Sequence, residues 1–258
     1  MIKLERGGKP DYLTDAKIQH LKNRYATTKT SVWSRKSITK PLMNTCFGKC
    51  AYCEKLVNGN GSYMEVDHYR YKDLHEDLIV EWSNLIPSCK QCNTKKGKHD
   101  VDINPIVNPY DDNPNEHFIY HCLRIIGITP KGEMSVELFG YNLRDVDARK
   151  SRLIIHEKID EKLSDGLDLY RDYQLSGDPK KLLKSRNSLS GILSACQINS
   201  EYSAITSTLL LLNPQFIDLM NKIKNEGVWD DVMKNYFDMA LSSSFPVKRD
   251  EYSLVKSL

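Results

Sequence analysis

The chain has 258 residues, 40 % hydrophobic and 28 % charged, with a formal net charge of +3. This composition excludes global disorder, and the absence of any run of about 18 apolar residues predicts no membrane span. Lys3, Glu5 and Arg6 leave no apolar leader, so no signal peptide is expected, and seven cysteines with two Cys-x-x-Cys pairs fit a metal in the reducing cytoplasm better than a disulfide framework.

Residues 1–50 carry 11 Lys/Arg against three Asp/Glu, a local +8, whereas residues 51–100 come to −1 and the remainder to −4. A basic N-terminal arm suits phosphate contacts, because Lys and Arg displace condensed counterions from nucleic acid. A solvated helix surface would carry the same bias. Apolar spacing at Leu13, Ala16, Ile18 and Leu21 predicts a helix over 13–24, and a second is expected over 32–43. The run Asn58-Gly59-Asn60-Gly61 signals a chain reversal, after which residues 62–69 read as a strand ending in Asp67-His68. Residues 70–82 read as a polar loop, residues 85–87 as the approach to the second cysteine pair, and residues 90–98 as a short helix.

Three Asn-Pro dipeptides within 101–116 mark an extended, turn-rich segment, since proline forces its predecessor out of the helical region. Short strands are expected between 118 and 143, around Gly127, Gly132 and Gly140. From Asp145 the pattern turns helical, with Leu153, Ile154, His156, Ile159 and Leu163 as one apolar stripe. Further helices are expected at about 180–195, 201–212 and 214–240. The predicted organisation is a basic helical arm (1–45), a core (46–105) and a mixed, then mainly helical region (106–258). The fold class is α+β, with a zinc-stapled ββα-metal core.

Cys50/Cys53 and Cys89/Cys92 can present four thiolates to one ion, and the tetrahedral S₄ set is what structural zinc prefers. Asp67-His68 lies between the pairs. Phosphodiester hydrolysis needs an activated water, neutralisation of the phosphate and stabilisation of a leaving 3′ oxygen. An imidazole titrating near neutrality can supply the first, and a hard divalent cation the others. Asp67 offers that cation a carboxylate and Asn93 a neutral oxygen, while Asn84 can orient the imidazole. Arg70, Lys95, Lys96 and Lys98 are candidate phosphate contacts. Cys46 reads as a bystander, Cys122 and Cys196 as core thiols. His75, His99, His117 and His121 have no evident partner, and the His117/His121 spacing lacks a third ligand.

Cys50-Ala51-Tyr52-Cys53-Glu54, Glu65-Val66-Asp67-His68-Tyr69-Arg70, Asn84-Leu85, and Cys89-x-x-Cys92-Asn93 with Lys96-Gly97 resemble the HNH endonuclease superfamily over roughly residues 46–105. The resemblance implies that Asp67 and Asn93 hold a catalytic Mg²⁺ or Mn²⁺, that His68 is the general base and Asn84 orients it, and that the four cysteines form the structural zinc site. More broadly the chain resembles the PtuB branch, the HNH subunits of Septu-type anti-phage systems. The shared features are Trp33 in a helical arm, the Cys-Ala-Tyr-Cys-Glu knuckle, the Asn-Pro segment and residues 143–149. Tyr71 stands where proline often follows the Arg, so the loop after the dyad is expected to take its own path. That branch works with an ABC-type ATPase (PtuA-like), and this chain has no Gly-x4-Gly-Lys-Ser/Thr loop of its own. The expected function is DNA cleavage in anti-phage defence. The apolar stretches 209–212 and 216–220 suggest a docking surface for the ATPase, or equally a private core. The rival readings are a stand-alone restriction-type HNH nuclease and a zinc-ribbon module that binds nucleic acid without catalysis.

Overall fold

Two helices of the basic arm close over the segment that follows the dyad. The computed structural model describes residues 1–59, 62–143 and 147–247. Asn60 and Gly61 of the predicted reversal, Asp145 at the predicted helix onset and the middle of 143–149 lie outside the described residues. The chain divides into two compact units, residues 1–118 with 127–141, and residues 119–126 with 142 onward.

In the first unit, α1 (Asp15–Thr28) starts where the Thr14 side chain accepts the Lys17 N–H, and stops at Lys29, whose φ of 51° is left-handed. A shorter helix, α2 (Lys36–Asn44), follows. Leu21, Tyr25, Ile38 and Leu42 from these helices share a core with Ile79, Val80, Trp82 and Leu85. The segment 70–82 is therefore not simply a polar loop. Two 3₁₀ turns, Glu76–Leu78 and Trp82–Asn84, lower Ile79 and Val80 to 0 % exposure. Full burial of an aliphatic side chain stabilises by about 1.5–3 kcal/mol, so the arm is held by its apolar face.

The central sheet has the order β1 (Asn58–Gly59), β2 (Ser62–His68), β3 (Leu85–Cys89), antiparallel throughout. His68 pairs with Leu85, Asp67 with Ile86 and Met64 with Cys89. The strand β3 runs directly into α3 (Lys90–Lys96), completing the expected strand–strand–helix unit.

Residues 118–143 depart from expectation. Two strands form, β4 (Phe118–His121) and β5 (Arg124–Gly127), but 130–139 is a helix, α4 (Pro130–Phe139). Thr129 caps it through Gly132 N–H, Pro130 occupies its first turn, and Gly140 ends it at φ 59°. That Thr-Pro start and Gly stop are helix punctuation, not strand punctuation. Gly132 is glycine because a Cβ there would sit 2.1 Å from the His117 carbonyl oxygen. Gly132→Ala should lower stability by roughly 1–3 kcal/mol or more, read as a fall in Tm. An unchanged Tm would mean that this approach relaxes freely.

The second unit holds α5 (Asp147–Ser176), α6 (Pro179–Ala195), α7 (Ser203–Leu211), α8 (Pro214–Asn225) and α9 (Asp231–Ser243). The buried face of α5 contains Arg152, Ile159, Leu163 and Gly166, whereas Leu153 and Ile154 of the predicted stripe are about half exposed, at 50 % and 49 %. The single helix expected over 214–240 is two, broken at Gly227 (φ 69°) and restarted by Asp230, which accepts the Met233 N–H. Leu209, Leu210, Leu211, Phe216, Leu219 and Met220 are all buried in this unit, so the apolar stretches offered as a docking surface fill the chain's own core. No helix among the described residues is long and apolar enough to cross a membrane.

Candidate active site and metal cluster

The four knuckle cysteines converge. Ala51 N–H donates to the Pro87 carbonyl, tying the first knuckle to β3, and Glu54 closes that knuckle with a φ of 65°. Cys89 caps α3, its sulfur accepting the Cys92 N–H. The sulfurs of Cys50, Cys53, Cys89 and Cys92 all lie within 4.8 Å of one another, and Cys53 and Cys89 are 3.8 Å apart. A tetrahedral zinc thiolate site with bonds of about 2.3 Å has S···S edges of roughly 3.8 Å, so this cluster can hold a metal ion. The donor chemistry agrees. The neighbouring thiols of Cys50, Cys53 and Cys92 hold the Cys89 pKa down, while the Cys53 and Cys92 thiols are pushed up by Cys50 first. Four packed thiols cannot all ionise without a cation among them.

The other three cysteines stay apart. Cys46 is buried and donates to the Met43 carbonyl, with burial pushing its thiol up to about 12. Cys196 is a core thiol, likewise near 12. Cys122 is not a core thiol, because it is exposed at the β4–β5 turn, where it and Leu123 take left-handed φ values of 45° and 59°.

Strand alternation sends Asp67 and His68 to opposite sides of β2. His68 is 5 % exposed, with its ring edge-on to Trp33 at a centroid distance of 4.6 Å. Its Nε2 lies 2.9 Å from the Ile79 carbonyl oxygen. A carbonyl only accepts, so Nε2 carries the proton and Nδ1 keeps a lone pair. Among the described residues, Asn84 makes no hydrogen bond to the imidazole. Its Oδ1 accepts the Arg70 N–H, and its Nδ2 donates to the carbonyls of Arg70 and Leu78. It thereby ties together the two ends of the loop that presents the Ile79 carbonyl.

On the other side, Asp67 is 4 % exposed, its Oδ2 accepting the Tyr52 O–H at 2.6 Å and its Oδ1 the Lys96 ammonium at 3.2 Å. Burial raises the Asp67 pKa, with Lys96 and Tyr52 opposing. Asn93 donates to Glu65 Oε2 at 2.7 Å. A cavity of about 770 Å³ gathers Glu65, Asp67, His68 and Asn93, with Trp33, Lys36, Lys40 and Lys72 also in its lining.

The basic candidates fare unevenly. Lys96 is 1 % exposed and bonded to Asp67 and to the His68 carbonyl, so it is an internal cation and not a phosphate contact. Lys95 donates to the Phe139 carbonyl at the end of α4. Arg70 pairs with Asp102, which also takes His75. Lys98 is exposed. His99 bonds the Asn104 carbonyl and His117 the Thr129 hydroxyl. Sequence reasoning missed Tyr52, Glu65, Lys36, Lys40 and Lys72. Of these, only Glu65 was legible, through its two-residue spacing from Asp67.

The HNH endonuclease family model matches residues 50–99. Over 234 residues, 89 % of this chain and 90 % of the relative, the sequence is 32 % identical to a Septu protein PtuB of Bacillus thuringiensis. A second Septu protein PtuB, from Bacillus mycoides strain KBAB4, is 25 % identical over 251 residues, covering 78 % of this chain and 84 % of its own. No solved structure gives a significant match.

Proposed function

The chain belongs to the PtuB family of HNH endonucleases, and from that premise we propose that it cuts DNA with a divalent cation, Mg²⁺ or Mn²⁺, in anti-phage defence. Zinc fills the four-cysteine cluster in this reading, and an ABC-type ATPase of the PtuA kind acts with it in the cytoplasm. The ATPase rests on the resemblance to Septu systems and on the lack of a phosphate-binding loop in this chain.

The observation that carries the reading is the gathering of His68 with Glu65, Asp67, Asn93 and three lysines in the lining of one cavity. With Nε2–H engaged by Ile79, Nδ1 is the atom that takes a proton from the attacking water. Trp33 covers one side of the ring and holds it in place. Asn84 acts one step removed, by positioning the loop that carries the Ile79 carbonyl. Lys36 and Lys40, one turn apart on α2, and Lys72 line the cavity and suit the phosphates flanking the scissile bond. Asp67 and Asn93 offer hard oxygen donors suited to magnesium or manganese. When bound, that cation neutralises the phosphate and stabilises the leaving 3′ oxygen.

Supercoiled plasmid incubated with the zinc-loaded protein tests the reading, with and without Mg²⁺ or Mn²⁺ and with and without a PtuA-like ABC-type ATPase. Cutting that requires the divalent cation supports it. Plasmid left intact in every arm, but retarded in gels, would instead favour a binding module.

Burial pushes the His68 imidazole down to about 4, the bond to Ile79 only partly offsetting it. A base with a depressed pKa stays neutral above that value and loses function as pH falls through it. Single-turnover cutting should therefore hold level between about pH 8 and about pH 6. An acidic limb at the ordinary imidazole value of about 6.5 would contradict a desiccated ring.

A further inference from the structure

Asp67 is not a free anion. Lys96, itself 1 % exposed, places its ammonium 3.2 Å from Asp67 Oδ1 and 2.7 Å from the His68 carbonyl oxygen, so the cation that cancels Asp67 is built into α3. Tyr52 occupies the other carboxylate oxygen from inside the first knuckle. Asn93 is neutral. A divalent cation drawn only by Asp67 and Asn93 would meet a site of no net charge, and nothing there would offset the cost of stripping its water.

Glu65 is a second carboxylate in the lining of the cavity. Two residues before Asp67 on β2, it projects from the same face of the strand. Its Oε2 accepts the Asn93 amide N–H at 2.7 Å, which assigns Nδ2 to that bond and leaves Asn93 Oδ1 as a donor atom for a cation. Glu65 is only partly buried, and among the described residues the carboxylates lining the 770 Å³ cavity are Glu65 and Asp67.

Resting on the metal-dependent reading above, we propose that Glu65 is a ligand of the catalytic divalent cation, providing the negative charge that Lys96 cancels at Asp67. The site is then a Glu65–Asn93 edge open to the cavity, with Asp67 behind it held rigid by Tyr52 and Lys96. The negative charge that recruits the cation comes from a residue outside the Asp-His dyad.

The test is equilibrium binding of Mn²⁺ to zinc-loaded full-length protein, followed by the loss of the free-ion electron paramagnetic resonance signal. Wild type, Glu65→Gln, Glu65→Asp and His68→Ala are compared, with zinc content and Tm measured alongside. Glu65→Gln keeps an acceptor for Asn93 and should weaken Mn²⁺ binding about tenfold or more at unchanged zinc content and Tm. Glu65→Asp, which keeps the charge, should lose less. Mn²⁺ affinity of Glu65→Gln equal to wild type would overturn the assignment. So would equal losses in Glu65→Gln and Glu65→Asp accompanied by a common fall in Tm. In either case, a wild type and His68→Ala that both bind Mn²⁺ leave the metal-dependent reading standing. Absence of Mn²⁺ binding by wild type would overturn both.

Discussion

His68→Ala should reduce DNA cutting by at least ~10²–10⁴-fold while zinc content stays at the wild-type level. The imidazole is the group in the cavity whose protonation state is set for accepting a proton: Nε2–H is committed to the Ile79 carbonyl at 2.9 Å, and burial keeps the ring neutral. The variant removes the ring from between Trp33 and that carbonyl and touches none of the four sulfurs. Some stability is lost with the buried ring, so cutting is compared at a temperature where both proteins are folded. Matched plasmid cleavage by wild type and variant, at equal zinc content, would remove His68 from the chemistry altogether.

Zinc removal should have the largest structural effect. Structural zinc contributes an apparent ~10–16 kcal/mol in small zinc-stapled peptides, more than the whole net stability of an ordinary domain. Here the cluster joins the first knuckle to the junction of β3 and α3, and Tyr52 carries that join to Asp67. Phe139 stacks on Tyr52 and Tyr141, and the Tyr141 hydroxyl donates to the Tyr52 carbonyl, so an aromatic group sits on the same knuckle. A chelator, or Cys89→Ser, should therefore erase the near-ultraviolet circular dichroism of these rings and abolish cutting together. The far-ultraviolet helical signal should fall much less, since α5 through α9 contain none of the four cysteines. Retention of the near-ultraviolet signal in zinc-free protein would show that the knuckles hold without metal.

The catalytic unit was largely legible in the sequence because its constraints are local. Two Cys-x-x-Cys pairs, a dyad at a strand end and Cys89 at a helix start depend on spacing over a few residues, and strand and helix periodicity carry that spacing into space. The misreadings came where two signals competed. Glycines at 127, 132 and 140 read as strand punctuation in the sequence, whereas Thr129-Pro130 and Gly140 bracket a helix. Hydrophobicity alone predicts Leu153 and Ile154 on the buried stripe of α5, yet Arg152 is inside and Leu153 half exposed, because the choice of buried face belongs to the neighbouring helices.

What the sequence by itself determined is the metal-stapled ββα unit, the cysteine set and the placing of Asp67 and His68 at the end of β2. What only the tertiary structure decided is the partner of each charged group. Lys96 reads in the sequence as a candidate phosphate contact and is the internal counterion of Asp67. Asn84 looked like a partner of the imidazole and instead ties down the loop that holds it. Tyr52, whose spacing between two cysteines predicts no partner, links the four-cysteine knuckle to the Asp67 carboxylate. Spacing along a chain sets which side of an element a residue occupies. Desolvation and pairing energies, which fix a buried charge's partner, depend on atoms brought from 15 to 29 residues away.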